Sequence, residues 1–422
     1  MDKKIKQAVV LCGGLGTRLR PITNKIPKPM VEINKIPFLW YLLDKVSDNG
    51  IDRFLLLTGY LGEEIHKYFG DGSKFNWIIE YSDGPSSWDT GRRLWEAKDK
   101  LDENFLLCYS DNFAQIRLDK IFEKWTKDTS KIWINLSKKK NGNVVFQDHQ
   151  HISYQNKRNN PNADFVELGF TFTNKDLFLD LMKRVDNFPN INISEVLTLA
   201  SECRKLCGYL LEDQYHSIGD IKRLEITRKY LTPKKIILLD RDGVINTKAP
   251  KGKYITDCRN FIFIEKSILG LKKLSEKGFK FIVITNQAGI ATKDLTNQKL
   301  EDIHRKMISK LHEQNIDIID IFVSKDHWQS NHFRRKPNPG MFFEASLKYL
   351  FRLDKTFYIG DDLRDCEAAF NANCQGLLIS DKIIHKNIYS SLKFTNLEQM
   401  VPHILEKYDL YLNQLEFVNN YA

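Results

Sequence analysis

Two short apolar runs in this chain each end directly in a loop built from glycines or carboxylates. Gln7–Leu11 leads into Gly13-Gly14-Leu15-Gly16-Thr17-Arg18, and Ile236–Leu239 leads into Asp240-Arg241-Asp242-Gly243. After each loop, segments of helical spacing alternate with further short apolar runs. This alternation predicts α/β structure, in which strands lie buried between helices. Ligands of such sheets bind at the carboxyl ends of the strands, so both loops are candidate functional sites.

The length of the chain and a break in its pattern indicate the domain organisation. At 422 residues it exceeds the roughly 250–300 residues that one core usually encloses. The alternation stops at Thr232-Pro233-Lys234-Lys235 and restarts directly afterwards. We therefore expect two doubly wound, Rossmann-like α/β domains over residues 1–231 and 235–385. Helical spacing after Ser391 predicts that residues 386–422 form an extension packed on the second domain.

Composition and charge narrow the class of protein. With 42% hydrophobic and 28% charged residues, the chain is typical of a globular protein with a packed core. Its net charge of +10 suits an anionic partner. Because no basic stripe with interleaved aromatics and no recognition motif is visible, we expect small-molecule partners and no nucleic acid. Whether the chain forms a homo-oligomer stays open.

Cysteine usage and the first residues indicate the compartment. The seven cysteines include no Cys-x-x-Cys pair, which favours reduced thiols. The first residues run into the strand-like segment Ala8–Cys12 without the apolar core of a signal peptide. No apolar run approaches the roughly 20 residues that cross a bilayer. We therefore expect a cytoplasmic protein without membrane insertion.

The first loop has the composition of a phosphate-binding loop. In Gly13-Gly14-Leu15-Gly16-Thr17, the glycines let backbone N–H groups turn towards an anion. Arg18 adds a permanently charged, bidentate donor for phosphate oxygens. Lys28 lies between Pro27 and Pro29, which stiffen the backbone and fix its direction. The composite motif therefore predicts a triphosphate-binding site.

With this motif the chain resembles the sugar-phosphate nucleotidylyltransferases over about residues 7–230. The resemblance implies a mixed sheet and the transfer of a nucleotide to a sugar phosphate with release of pyrophosphate. It implies that Arg18 and Lys28 bind the triphosphate and stabilise charge. It also implies that Asp111, after the apolar run Phe105–Tyr109, binds Mg²⁺. The other residues that it assigns are Thr90 and Gly91 at the nucleotide, and Glu167 and Gly169 at the sugar.

Two segments depart from that family's pattern. Where the family often carries a second metal-binding aspartate in an Asp-x-Gly segment, this chain reads Ser217-Ile218-Gly219-Asp220. A serine is a poor ligand for a hard cation, so either Asp220 substitutes from a shifted position or the second metal is lost. In Thr90-Gly91-Arg92-Arg93-Leu94, an arginine before the leucine resembles the cytidylyltransferase branch and favours a cytosine base. A purely structural change at Arg92 is the alternative.

The second loop presents two carboxylates at a strand end. One of Asp240 and Asp242 must be ionised to attack phosphorus, and the other can protonate the leaving oxygen. Because an anionic nucleophile approaches an anionic phosphate, Mg²⁺ is implied. Three later segments supply matching groups, namely donors in Thr285-Asn286-Gln287, a lysine in Arg335-Lys336-Pro337 and oxygen ligands in Gly360-Asp361-Asp362.

In this order the four segments resemble the haloacid dehalogenase-type phosphatases over about residues 235–385, and within them the histidinol-phosphate and heptose-bisphosphate phosphatases. The resemblance implies a parallel sheet, with Asp240 as the nucleophile and Asp242 as general acid and then base. It assigns Thr285, Asn286 and Lys336 to the phosphoryl group. The metal ligands that it implies are Asp240, Asp242 and Asp361.

A structural zinc site is usual in that branch and depends on cysteines before the Arg-Lys-Pro segment. Here the segment reads Ser330-Asn331-His332-Phe333-Arg334, so His327 and His332 lack thiolate partners. Without them a tetrahedral site is incomplete. We expect no zinc.

Together the two resemblances predict a bifunctional enzyme of nucleotide-sugar biosynthesis with Mg²⁺ in both domains. Its phosphatase would remove one phosphate from a sugar bisphosphate, with D-glycero-D-manno-heptose 1,7-bisphosphate as the expected substrate. Its transferase would join a sugar phosphate to GTP or CTP. One alternative is a cytidylyltransferase and phosphatase for a different sugar or polyol phosphate in capsule synthesis. Another is a phosphatase beside a transferase-like domain that lacks catalysis.

Overall fold

A computed structural model describes residues 5–156, 160–212, 215–250, 252–381, 389 and 392–420. Its contacts divide the chain into two compact units. The first unit runs to Arg228 and includes the residues from Val418 onward, and the second spans Lys229–Phe417. The domain boundary that we expect at 385/386 lies outside the described residues.

The first unit is built on a mixed sheet. Within the described residues its sheet follows the order β10-β9-β11-β6-β1-β4-β5, with β8 paired to β11 and β12. The pairs that join β1, β4, β5 and β6 are parallel, whereas β11 runs antiparallel to β6 and β8. The strands of this unit are β1 (Gln7–Leu11), β2 (Glu32–Ile33), β3 (Ile36–Pro37), β4 (Arg53–Thr58), β5 (Ile78–Asp83), β6 (Asn104–Tyr109), β7 (Asn112–Ala114), β8 (Ile132–Lys138), β9 (Val144–Phe146), β10 (Ile152–Tyr154), β11 (Phe165–Asn174), β12 (Leu206–Leu210) and β13 (Tyr215–Ser217).

Helices cover the strands of this sheet. Alternate strand residues such as Val9, Leu55 and Phe105 form one buried cluster with α3, α5 and α6, as expected for side chains that alternate across a strand. The helices of this unit are α1 (Phe38–Ser47), α2 (Gly62–Phe69), α3 (Thr90–Glu96), α4 (Leu118–Lys127), α5 (Lys175–Lys183), α6 (Ile193–Glu202) and α7 (Ile221–Leu231).

The second unit is built on a parallel sheet. Its strand order is β16-β15-β14-β17-β18-β19, and all of these neighbours run parallel. Its elements are β14 (Ile236–Leu239), α8 (Glu265–Glu276), β15 (Lys280–Asn286), α9 (Asn297–His312), β16 (Ile318–Ser324), α10 (Gly340–Tyr349), β17 (Phe357–Gly360), α11 (Leu363–Asn371), β18 (Gln375–Ile379), β19 (Leu392–Phe394) and α12 (Leu397–Asn420).

Burial on both faces explains why β14 is a continuous apolar run. Ile237 and Leu239 pack with α8, α9 and the start of α12, whereas Leu238 packs with α10 and α11 on the other face. From α12, Leu397 and Met400 join the first of these clusters. The expected fold class is confirmed, since the chain contains two doubly wound α/β units, the first with a mixed and the second with a parallel sheet.

Candidate active sites

The loop after β1 forms one wall of a cleft of about 490 Å³. Every residue from Gly13 to Arg18 lines this cleft, and so does Lys28. Gly16 has a φ of +62°, in the left-handed region. A Cβ at this position would lie 3.0 Å from Lys28 Cβ and 3.1 Å from Thr23 Cγ2. Glycine is therefore needed both for the turn and for the close approach of Lys28.

Asp111 lies at the carboxyl end of β6 and lines the same cleft. Its carboxylate forms a direct ion pair with Lys28. Ser217 lies opposite Asn112 in the pairing of β13 with β7, and Ile218 N donates to Asp111 O at 3.0 Å. The serine therefore lies on the strand that pairs with the segment directly after Asp111, at the position of the expected second metal-binding carboxylate.

Asp220, the alternative source of that carboxylate, has contacts of its own at the start of α7. Its Oδ1 accepts a hydrogen bond of 2.9 Å from Arg223 N, and its Oδ2 lies 3.3 Å from Arg223 Nε. These contacts are typical of a residue that caps the start of a helix, here α7. The structure therefore shows Asp220 as a helix-capping residue, and its use in place of the carboxylate expected at Ser217 stays a prediction.

Arg93 is a site residue that the sequence analysis did not assign. It is 4% exposed and lines the cleft. Its guanidinium donates to the carbonyl oxygens of Thr58 (2.6 Å), Pro85 (2.7 Å), Gly84 (3.2 Å) and Gly13 (3.2 Å). One side chain thus ties the Gly13–Arg18 loop to the ends of β4 and β5.

Arg92 has a different role, although it is the next residue. It pairs with Glu96 one turn along α3 at 2.7 Å, and its guanidinium lies 5.3 Å from the centre of the Trp88 ring. Both contacts are local to α3 and its entry. A purely structural role, without a part in the choice of base, therefore accounts for the position of Arg92.

The other residues assigned to substrates divide into two groups. Thr90 lines the cleft, and its Oγ1 accepts from Ile193 N at 2.9 Å. Gly91 instead packs under α6: its N donates to Ile191 O at 2.8 Å, and a Cβ would lie 2.7 Å from that oxygen. Among the described residues that line the cleft, Gly91 is not found. A glycine is needed at this position because the neighbouring backbone leaves no room for a side chain.

The two residues assigned to the sugar lie behind the cleft. Glu167 is 3% exposed, and its Oε2 accepts from the Tyr154 hydroxyl at 2.8 Å. Gly169 has a φ of +79° and packs against the ring of Tyr109, which does line the cleft. Neither residue lines the cleft itself, so a contact with sugar is not seen in this arrangement.

The loop after β14 places Asp240 in a second cavity, of about 300 Å³. Lys336 Nζ lies 3.0 Å from Asp240 Oδ1 and 2.8 Å from Asp365 Oδ1. Carboxylate oxygens of Asp240, Asp361 and Asp365 all lie within 4.8 Å of one another. Gly243 has a φ of +91°, and a Cβ there would lie 1.8 Å from Asp361 Oδ2. The glycine of the Asp-x-Asp-Gly motif therefore makes room for Asp361.

Burial and charge set the proton affinities of this group. Burial raises the pKa of Asp240, against the attraction of Lys336. Burial also raises the pKa of Asp361 to about 6, although Lys248 opposes this from 2.6 Å. Asp361 Oδ1 is buried and has no hydrogen-bond partner among the described residues. Paired hard oxygens with one unsatisfied atom fit a divalent cation such as Mg²⁺.

Asp242 lies outside this group of three carboxylates. Its oxygens accept from Arg241 Nη2 at 3.0 and 2.8 Å, from Asn246 Nδ2 at 2.9 Å and from Gln287 Nε2 at 2.9 Å. Burial favours the neutral acid, but the ion pair with Arg241 and these hydrogen bonds outweigh it and lower the pKa of Asp242. The expected role of the Asp242 carboxylate as a metal ligand is therefore not what this arrangement shows.

Arg241 is fully buried and is itself held in place. Its Nη1 contacts His304 Nε2 at 3.1 Å, and its guanidinium lies 6.0 Å from the centre of the Phe261 ring. Burial, and next the charge of Arg241, lower the pKa of His304 to about 3. The imidazole is therefore neutral and can accept the arginine's hydrogen bond.

Thr285 and Asn286 line the cavity at the end of β15. Thr285 Oγ1 accepts from Gln287 Nε2 at 2.9 Å. Asn286 Nδ2 donates to Lys336 O at 3.0 Å, and Lys336 N donates to Asn286 Oδ1 at 3.1 Å. This reciprocal pair fixes the backbone of the lysine beside Asp240. The structure thus brings together Asp240, Thr285, Asn286 and Lys336.

Asp365 was missed by the sequence analysis. It lies three residues after Asp362, the residue that caps α11, and the two form a capping box. Its Oδ2 accepts from the N–H groups of Asp361 and Asp362, both at 3.2 Å. The Asp-x-x-Asp spacing is a signal for a helix start, and it gives no sign of the contact with Lys336.

The histidines of the segment before Arg335 contact neighbours within it. His332 Nδ1 lies 3.2 Å from Asp326 Oδ2, and the ring of His327 lies 3.8 Å from that of Trp328. Among the described residues, no helix combines the length and apolar character needed to cross a bilayer.

Comparison with known proteins assigns a family to each unit. The model of the nucleotidyl transferase family matches residues 7–230, more than half of the chain. The model of the polynucleotide kinase 3 phosphatase family matches residues 235–376. The chain therefore joins a nucleotidyltransferase domain to a phosphatase domain, and it belongs to the nucleotidyl transferase family.

Curated relatives match each unit separately. A probable glucose-1-phosphate cytidylyltransferase of Bacillus subtilis is 37% identical over an alignment of 133 residues, and the match covers 26% of this chain and 52%, about half, of that protein. A D-glycero-α-D-manno-heptose 1-phosphate guanylyltransferase of Aneurinibacillus thermoaerophilus is 32% identical over 178 residues, which are 41% of this chain and 76% of that protein.

The second unit is similar to phosphatases of heptose bisphosphates. The D-glycero-α-D-manno-heptose-1,7-bisphosphate 7-phosphatase of Photorhabdus laumondii is 36% identical over 153 residues, which are 33% of this chain and 78% of that protein. At this identity and coverage, the second unit belongs to the heptose-1,7-bisphosphate phosphatase family. The chain thus carries two domains from enzyme families.

Proposed function

We propose that this chain is a bifunctional enzyme that prepares and then activates a heptose phosphate. The phosphatase removes the 7-phosphate of D-glycero-α-D-manno-heptose 1,7-bisphosphate, and the transferase joins the remaining 1-phosphate to a nucleotide. One observation carries this proposal. By their names, the relative of the second unit makes the sugar phosphate that the relative of the first unit uses, with the same α configuration.

The phosphatase residues have contacts that suit two proton-coupled half-reactions. The Asp240 carboxylate attacks phosphorus, the bond to the sugar oxygen breaks, and Asp242 donates a proton to that oxygen. Asp242 then accepts a proton from the water that hydrolyses the aspartyl-phosphate, and Asp240 is regenerated. Since the pKa of Asp242 is low in the free protein, it must take up this proton with the substrate, and the approach of a phosphate anion favours that.

Lys336, Thr285 and Asn286 are proposed to hold the phosphoryl group. Lys336 is buried and charged beside Asp240, so it neutralises the charge on phosphate oxygens. Asp240 and Asp361 are the side chains that would hold Mg²⁺, because Asp361 Oδ1 lacks another partner among the described residues. Bound there, Mg²⁺ supplies positive charge that lets two anions approach.

The transferase residues are proposed to act by position and charge. An oxygen of the sugar phosphate attacks the α-phosphorus of the nucleoside triphosphate, and the bond to pyrophosphate breaks without a covalent enzyme intermediate. Arg18 and Lys28, which line the cleft with the loop of glycines, bind the departing phosphates. Asp111 is the proposed Mg²⁺ ligand of this unit, and Ser217 leaves it without the second carboxylate.

The nucleobase and the sugar are open to test. The guanylyltransferase relative favours GTP, whereas the cytidylyltransferase relative favours CTP and a different sugar phosphate. Ser217 is the observation that favours a first unit without catalysis. We propose a cytoplasmic location, because the free cysteines and the nucleotide substrate both suit that compartment.

The test is an end-point assay of the purified chain with Mg²⁺ and the α and β forms of heptose 1,7-bisphosphate. We expect one phosphate released per sugar, and then one pyrophosphate when GTP or CTP is added. Asp240→Asn should stop the first release. When heptose 1-phosphate is supplied directly, Lys28→Ala should stop the second release and Asp240→Asn should not. Turnover of another sugar phosphate with CTP, and none of heptose 1-phosphate, would contradict the heptose assignment. Phosphate release only from a 3′-phosphorylated oligonucleotide would contradict the small-molecule assignment.

A further inference from the structure

The cavity of the second unit contains an aromatic side chain that the chemistry at Asp240 does not use. Trp328 lines this cavity together with Asp240 and Lys336. It is nevertheless 55% exposed, whereas side chains of this size are largely buried on average. The apolar surface of an indole on a cavity wall is exposed to water. A ligand that covers it is bound more tightly, because that surface is then buried.

The segment that carries Trp328 is held by polar contacts along its length. Asp326 accepts from Ser324 Oγ at 2.8 Å and lies 3.2 Å from His332 Nδ1. Arg335 Nη1 donates to Asp326 O at 3.1 Å. These bonds connect the end of β16 to the residue before Lys336. Trp328 is therefore carried by a segment tied to the catalytic lysine.

One face of the indole is already covered. The ring of His327 lies 3.8 Å from the Trp328 ring at an interplanar angle of 32°. Because about half of the side chain is still exposed, the area left for a ligand is on the remaining face and edge. A partly covered ring is a more ordered binding surface than one that turns freely, since less rotamer freedom is lost on binding.

Tyr254 adds a second aromatic ring to the same cavity. It packs on the backbone at Gly289, where a Cβ would lie 2.9–3.2 Å from three ring atoms. The cavity also contains the cationic side chains of Lys253, Arg335 and Arg364. Aromatic rings beside several hydrogen-bond donors suit a ligand with both C–H faces and many oxygens. A phosphorylated sugar ring has this character.

We propose that Trp328 is a specificity-determining residue of the phosphatase and stacks on the C–H face of the substrate's sugar ring. This inference rests on the proposed phosphatase function, and it specifies the substrate as a cyclic sugar bisphosphate. The hydrolysed phosphate lies at Asp240, and the ring extends from it to the indole. A cavity of about 300 Å³ is at the small end of ligand sites, which favours a single sugar over a nucleic-acid end.

The experiment compares two substrates in the full chain with Mg²⁺, namely heptose 1,7-bisphosphate and acetyl phosphate, which has no ring. We expect Trp328→Ala to raise KM for the sugar by about tenfold, or about 1.4 kcal/mol, with kcat within about twofold. The ratio of kcat/KM for the sugar to that for acetyl phosphate should fall by the same factor. Trp328→Phe should retain most of the affinity, and Trp328→Leu should not. Leu347→Ala, at an apolar residue on α10 that is 60% exposed, is the matched control.

Each outcome has a distinct meaning. If Trp328→Ala leaves KM for the sugar unchanged while the wild-type chain turns it over, the stacking role is wrong and the phosphatase function stands. If Trp328→Leu has the wild-type KM for the sugar, any apolar side chain at this position is sufficient, and the stacking role is again wrong. If the wild-type chain hydrolyses no sugar bisphosphate, the proposed function itself fails. If a 3′-phosphorylated oligonucleotide is preferred and loses affinity in Trp328→Ala, the ring that stacks is a base.

Discussion

Replacing Arg93 by methionine tests whether one buried guanidinium organises the first active site. Methionine keeps an unbranched, apolar stem and carries neither the guanidinium nor its charge, so the change removes these hydrogen bonds. The carbonyl groups of Thr58, Gly84, Pro85 and Gly13 then lose their donor. Because Gly13 begins the phosphate loop, we expect both stability and nucleotide binding to suffer.

The size of the effect follows from the four contacts. The bonds of 2.6 and 2.7 Å are each worth about 1.5 kcal/mol as charge-assisted bonds, and those of 3.2 Å about 0.5 kcal/mol each. Because methionine is neutral, the variant does not have to bury a charge, and this reduces the expected loss by about 1 kcal/mol. The expected net loss is therefore about 3 kcal/mol in the free energy of unfolding of the first unit.

The assay is thermal unfolding followed with and without nucleotide. The transition of the first unit is the one that a nucleoside triphosphate with Mg²⁺ shifts upwards. For a unit of this size, about 3 kcal/mol corresponds to a fall of about 6–12 °C. Arg92→Met is the matched control, because it removes only the pair with Glu96 and the contact with the Trp88 ring, together worth about 1 kcal/mol. Equal shifts for the two variants would refute the reasoning.

Three further outcomes are expected. Asp240→Asn should lower phosphate release from the bisphosphate by a factor of about 10³ or more. With heptose 1-phosphate supplied directly, it should leave pyrophosphate release within about twofold, and loss of both would contradict two separate centres. Ser217→Asp should lower the Mg²⁺ concentration that half-saturates pyrophosphate release, because it restores a hard ligand near Asp111. The control Asp220→Ala should not lower it. An unchanged Mg²⁺ requirement in Ser217→Asp would count against the placement of a metal site at Ser217. Folding lowers the pKa of His304 from 6.5 to about 3. Its neutral imidazole therefore contributes fully to the free energy of unfolding above pH 6.5, and this contribution decreases as the pH falls. Urea unfolding at pH 7 and pH 5 should show a smaller loss in His304→Gln than in the wild type, and equal losses would show that the imidazole does not matter.

The strands were predictable from sequence because both faces of each central strand are buried. Gln7–Leu11 and Ile236–Leu239 are strands with the bounds that their apolar runs predict. Helix ends are less predictable from apolar spacing: α8 begins at Glu265, but its first buried apolar side chain is Ile268. The first turn of a helix contributes few core residues, so its start leaves a weak apolar signal. The antiparallel position of β11 between β6 and β8 depends on contacts far apart in sequence.

Site residues were predictable where the backbone itself carries the signal. Gly16 and Gly243 mark left-handed turns, and the motifs that contain them locate both loops. Gly91 shows the limit of this signal, because a glycine that makes room for a phosphate and one that makes room for a neighbouring carbonyl look the same in sequence. Its assignment to the nucleotide stays a prediction. Arg93 was missed because its four acceptors are main-chain atoms, which leave no trace in residue identity. Local motifs thus located the two centres, and long-range partners decided the roles within them.

The three carboxylates around Lys336 divide into two roles. Asp365 already accepts from Lys336, the Tyr358 hydroxyl and two backbone N–H groups, so its lone pairs are largely used. Asp361 has one oxygen paired with Lys248 and one without a partner among the described residues. A cation therefore gains more from Asp361 than from Asp365. It follows that Asp365 orients the lysine and the start of α11, whereas Asp240 and Asp361 remain to hold a cation, although oxygens of all three lie within 4.8 Å of one another.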